Sequence, residues 1–203
     1  MAKKSQQIYQ FKITLTGIKP KIWRRIQVPE EYSFWDLHVA IQDATGWTDS
    51  HLHQFIIMDP KICEEIRIGI PCDDDFMDDM PETVADWKKS INKYFSIKNN
   101  CCCYEYDFGD SWEHEIKLEK ILPAISDLKY PICVGGERAC PPEDCGGIPG
   151  YENFLEIIND PKHEEHENML EWVGGEFNSE QFNSKKVHFD NPKQRWKHAI
   201  GSV

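Results

Sequence analysis

The chain has 203 residues, 40% hydrophobic and 12% aromatic, enough apolar matter for a packed core and too much for wholesale disorder. Its formal charge of −12 disfavours a general attraction to nucleic acid. No apolar run approaches the roughly 20 residues of a membrane span, and the opening Met1-Ala-Lys-Lys-Ser has no secretory character, so a cytoplasmic location is expected.

Tyr9, Phe11, Ile13 and Leu15 alternate with polar residues, the period of a strand with one buried face. Gly17 and Pro20 punctuate it, and Ile22, Arg24, Ile26 and Val28 predict an antiparallel partner. Ser33, with Asp36 three residues later, is a helix start; Phe34, Leu37, Ala40, Ile41 and Ala44 form its apolar stripe, and Gly46 ends it. His51 to Met58 reads as a third strand. Residues 72–82 hold five aspartates without the register of a calcium-binding loop, which predicts a solvated loop.

Val84, Trp87, Ile91 and Phe95 predict a second helix. Residues 101–106 and 111–121 predict a hairpin around Asp107-Phe-Gly-Asp110, with Gly109 supplying a positive φ. On its second arm Trp112, His114, Ile116 and Leu118 face one way and Glu113, Glu115, Lys117 and Glu119 the other. Residues 130–150 are rich in Gly, Pro and Cys and show no period. Helical stripes follow at Tyr151–Ile158 and His166–Val173, and Asn191-Pro192 opens a last helix carrying Trp196 and Ile200. Residues 177–189 suit helix or loop. The expected fold is α+β: a mainly antiparallel sheet, helices packed on one face, and a helical part from about residue 160, all in one domain spanning 1–203.

Three segments together carry a resemblance. They are Ile22-Trp-Arg-Arg-Ile-Gln-Val-Pro29 with Gly46-Trp47 and His51-Leu-His-Gln-Phe55; Tyr106-Asp-Phe-Gly-Asp-Ser-Trp-Glu-His114; and Cys133 to Tyr151, containing Cys140-Pro-Pro-Glu-Asp-Cys145. In this order and spacing the sequence resembles the plasmid pRiA4b ORF-3-like family from about residue 8 to residue 190. The resemblance implies an α+β domain of bacteria and archaea, some of whose relatives are described as resolvase-like passengers of mobile elements. The catalytic serine with clustered arginines that a serine recombinase needs is not found here.

The first candidate constellation is His51, His53, Asp107, Asp110 and His114. His51 and His53 share a strand face, and His114 lies on the aromatic face with Trp112. If the strands are neighbours, imidazoles and turn carboxylates converge, a donor set for zinc or another divalent ion. The competing account is buried histidines bound to carbonyls and aspartates capping a turn. A second constellation is Cys133, Cys140 and Cys145, whose thiolates suit zinc although the gaps exceed a knuckle's and Cys63, Cys72 or a histidine must complete the set. Its alternative is a Pro-Pro-Glu-Asp turn of helix ended by Gly146-Gly147, with the thiols as packing groups. Most of the eight cysteines are expected to be free thiols.

Trp23, Trp35, Trp47, Trp112, Tyr104 and Tyr106 line a ligand groove or form plain core, and Arg138 offers an anion contact to such a groove. Charge adds one more feature. Residues 1–29 and 181–203 hold 12 of the 23 basic side chains and one of the 35 acidic ones. Such ends suit self-complementary packing, or nucleic acid through Arg24 and Arg25. The favoured reading is a non-enzymatic module binding a ligand or protein through the His51 strand, the 107–110 turn and the 133–150 loop. The alternatives are a metal-dependent hydrolytic enzyme and a nucleic-acid-associated protein of mobile-element type.

Overall fold

Period-two segments become a single sheet. The computed structural model describes residues 6–71 and 82–199. The acidic loop, Cys72 and Ile200 lie outside those residues, Glu82 apart. The strands are β1 (Gln7–Leu15), β2 (Trp23–Pro29), β3 (His53–Asp59), β4 (Glu64–Gly69), β5 (Thr83–Ala85), β6 (Cys101–Tyr106), β7 (Trp112–Pro123) and β8 (Ile132–Glu137). They lie in the order β5-β4-β3-β6-β7-β1-β2-β8, antiparallel throughout except for the β4–β5 pair.

The alternation seen in sequence decides which face is dry. Phe11, Ile13, Ile26, Phe55, Tyr104, Ile116 and Leu118 are buried on one face. Helix α1 (Phe34–Thr45) covers that face, and its Phe34 ring meets Phe55 and Tyr94 edge to face. The helix starts where expected: Ser33 and Asp36 form a reciprocal capping box, and Gly46 closes it in the left-handed region at φ 88°. Three further helices follow, α2 (Gly147–Asn159), α3 (His166–Trp172) and α4 (Pro192–Ala199). Asn191 caps the last by accepting from the Lys193 N–H. Residues 177–189 are irregular apart from a 3₁₀ turn at Ser184–Lys186. The result is an α+β fold.

Three expectations are corrected. The segment from Val84 to Phe95 is not an α-helix but β5 followed by 3₁₀ turns at Asp86–Lys88 and Ile91–Lys93. Tertiary pairing to β4 takes its first residues, and the four-residue apolar spacing is met by short turns instead. Part of the stretch 130–150 is β8, an edge strand paired to β2 at Arg25↔Gly135. Gly136 is there because an added Cβ would lie 2.8 Å from the Trp23 carbonyl oxygen and 2.3 Å from the Phe182 ring. Finally, Gly146-Gly147 opens α2 instead of ending a turn of helix at Pro141.

Candidate functional site

Strand order determines which histidines meet. β6 separates β3 from β7, and the register places His53, Tyr106 and Trp112 in one cross-strand row and Phe55, Tyr104 and His114 in the next. The five-residue constellation therefore splits in three. His53 enters the core, His114 sits in a separate apolar niche, and His51 with Asp107 and Asp110 stays at the end of the sheet.

His53 is 2% exposed and stacks on His38 of α1, with ring centroids 3.5 Å apart and planes 7° from parallel. His53 Nε2 lies 2.8 Å from Asp86 Oδ2 and His38 Nε2 lies 2.6 Å from Asp49 Oδ1. The Tyr104 hydroxyl contacts His38 Nδ1 and accepts from the Gln42 amide. Burial, then the neighbouring His53, push His38 down to about 4, so it is neutral near pH 7. His38, Asp49 and His53 offer ligand atoms within 4.8 Å of one another. Parallel rings at this spacing disfavour a shared ion, since an ion in the plane of one ring lies well out of the plane of the other. The arrangement is a polar network inside the core.

His114 is 2% exposed, its Nδ1 3.1 Å from the Trp112 carbonyl and its Nε2 without a partner. Burial pushes it from the ordinary 6.5 down to about 4. An unfolded chain takes up this proton near 6.5, whereas the folded one refuses it until about 4. Stability is then intact above the upper value and falls as pH drops between the two, by about 3 kcal/mol for this residue. Urea unfolding at pH 7.5 and at about pH 4.5 should show that loss, and His114→Gln should shrink it.

At the end of the sheet three loops converge. His51 Nε2 lies 3.0 Å from Asp144 Oδ1 and 3.5 Å from Asp107 Oδ2, and the three donor atoms lie within 4.8 Å of one another. Asp107 Oδ1 accepts the N–H groups of Gly109 and Asp110, so the turn itself is satisfied and Oδ2 is left to face the histidine. The left-handed residues of this turn are Asp107 (φ 57°) and Ser111 (φ 56°), not Gly109 as expected. Asp144 (φ 59°) shares that conformation. Backbone held in this region costs energy that the surroundings must offset, and such positions gather at binding sites.

The 141–146 segment is tied to this place by several bonds. Glu143 accepts from the Tyr106 hydroxyl and the Thr48 N–H, the Trp47 indole donates to Pro141 O at 2.9 Å, and Gly146 N–H donates to Asp110 Oδ2 at 3.1 Å. With its oxygens so engaged, Glu143 positions the turn, while Asp144, its side chain 69% exposed, sits at the rim against His51.

The remaining predicted residues are occupied elsewhere. Trp112, Tyr104, Tyr106, Trp47 and Trp35 are buried core, so no aromatic groove forms from them. Arg138 donates to Glu180 and to Pro20 O and makes no anion site beside the cluster. Cys133 and Cys145 each contact the carbonyl two residues further along the chain, and Cys140 Sγ accepts from Arg24. Among the described residues no metal-ligand group contains a cysteine, and all seven described cysteines are free. Burial raises the Cys133 and Cys140 thiols and lifts Cys145 to about 12, which keeps them protonated. Sequence reasoning missed His38, Asp49 and Asp86. A signal for the first existed: His38 and Gln42 are polar residues four apart inside an apolar helical stripe.

The fold is thus a mainly antiparallel sheet with helix α1 on one face and His51, Asp107 and Asp144 meeting at one end. The chain matches the model of the plasmid pRiA4b ORF-3-like protein family over residues 7–186. It belongs to that family. Among its relatives, the uncharacterized protein y4hQ of Sinorhizobium fredii is 35% identical over 170 residues, covering 82% of this chain and 81% of that protein. A crystal structure of MM3350 from Methanosarcina mazei Go1, a protein of unknown function, is similar at a TM-score of 0.84. It is 44% identical, covering 92% of this chain and 100% of that one. No helix among the described residues is long and apolar enough to cross a membrane.

Proposed function

We propose that this protein is a binding module that holds a divalent metal ion between His51, Asp107 and Asp144. The state of His51 Nε2 carries the reading. This atom is buried and makes no hydrogen bond, although Asp144 Oδ1 is only 3.0 Å away. The three donor atoms lie within 4.8 Å of one another, close enough to be shared by one ion. One imidazole with two carboxylates suits zinc or a similar first-row dication, and the two negative charges favour a double positive one. His51, the 107–110 turn and the 141–146 segment then act as one surface, flanked in sequence by the exposed Leu52 and Phe108.

Titration of chelator-stripped protein with zinc chloride or manganese chloride by calorimetry tests this. One ion per chain is expected, with affinity reduced at least about tenfold in His51→Ala and Asp144→Asn. Unchanged binding in both variants, or loss only in Cys140→Ala, contradicts it. A second reading, metal-dependent hydrolysis, draws on the exposure of Asp144, which leaves room for a water on the ion. Its test is ion-dependent turnover of nitrophenyl esters or phosphates that disappears in His51→Ala.

A further inference from the structure

We propose that the helix-free face of the sheet binds single-stranded nucleic acid through its phosphate backbone. The register of the three strands β2, β1 and β7 sets Arg25 opposite Lys12 and Lys12 opposite Lys117. Three cations thus stand side by side across adjacent strands, an arrangement that costs stability unless anions lie among them. Lys21 and Lys120 extend the row into a groove of about 720 Å³.

Two acids line the same groove, Glu115 and Glu119, against five cations. Glu119 is bound in bidentate fashion by Arg25, at 2.7 and 2.9 Å, which leaves the lysines in excess. Lys12 and Arg25 also lie over the Trp23 ring, at 4.9 and 4.8 Å from its centroid. These contacts hold both cations in place at the groove. Concentrated positive charge on a chain of net charge −12 is a local feature, and local charge decides phosphate binding.

The shape selects the occupant. The groove is a shallow, open strip over a sheet, and a small phosphorylated molecule would not bury the 70–90% of its surface that such ligands usually bury. A polymer crosses the strip and uses only one phosphate per lysine. Beyond Lys117 the same face carries Glu105, Glu113 and Glu115, so a duplex would bring its second strand against acids, whereas a single strand meets the basic row alone. Arg24, the other basic residue of β2, takes no part because it is buried at 2% exposure.

Fluorescence anisotropy with a labelled oligothymidylate of about 12 nucleotides is the test. At low salt the full chain should bind, and the plot of log K against log salt should have a slope near −2, as about three cation contacts require. Lys12→Gln should flatten that slope by about 0.7, and Lys117→Glu, at an exposed position, should weaken binding at least tenfold. Circular dichroism should show both variants folded. Absence of binding at low salt overturns the proposal, as does binding that ignores both substitutions. Equal competition by polyglutamate assigns the face to another class of anion and also overturns it.

Discussion

Asp86→Ala should lower stability by about 3–5 kcal/mol, the loss expected when one partner of a fully buried imidazole–carboxylate pair is removed. Asp86 is fully buried at the first 3₁₀ turn after β5, and its carboxylate meets His53 at 2.8 Å. Without it, His53 Nε2 loses its only partner, and its Nδ1 is already unpartnered. No water reaches a side chain with 0% exposure, so desolvation is not relieved. The consequence extends to α1, because His53 is the platform on which His38 stacks. Urea unfolding should show the midpoint falling with little change in its denaturant dependence. Replacing both partners with apolar residues, Asp86→Leu with His53→Leu, should recover much of the loss. A single change below about 1 kcal/mol would mean that the pair is not buried as described.

Arg24→Ala carries the second large effect, about 3 kcal/mol or more. Its guanidinium donates to the carbonyls of Ala44, Trp23 and Glu137 and to Cys140 Sγ. Phe182 lies on its other side, 3.7 Å from the guanidinium carbon to the ring centroid. One side chain thus ties the end of α1 to β2, β8 and the 138–145 loop. Truncation leaves several acceptors unpaired at once in a site closed to water, and Lys supplies neither the fork geometry nor the stacking plane. Arg24→Lys should therefore recover little of the lost stability in thermal or urea unfolding. The same geometry makes Arg24 useless as a probe of nucleic-acid binding, since its replacement tests the fold.

How far the sequence foretold this molecule depended on whether the determining contact was local. The β1–β2 pair, the capping box at Ser33 and the 101–121 hairpin are fixed by period and neighbours, and they stand where expected. β5 and β8 answer to a partner strand distant in sequence, so no local period marks them. The cluster was half legible. Chemistry marks His51, Asp107 and Asp110 in the sequence, and Glu143 and Asp144 stand in it within the Pro-Pro-Glu-Asp stretch between two cysteines. Their meeting depends on how the 141–146 segment docks on Trp47 and Tyr106, which one strand's alternation cannot reveal. Residues two apart on a strand share a face, which in sequence groups His53 with His51. The strand begins only at His53, however, so His51 is free to turn to the rim. Burying Arg195 against Asp43 likewise used a basic terminus to pair with the acidic body.

His51, Asp107 and Asp144 are the proposed ligands of one ion. X-ray absorption at the zinc edge of protein loaded with one equivalent reads its ligands directly. The account predicts a first shell of nitrogen and oxygen alone near 2.0–2.2 Å, altered in His51→Ala. A sulfur shell near 2.3 Å, or a spectrum unchanged by that substitution, would contradict it.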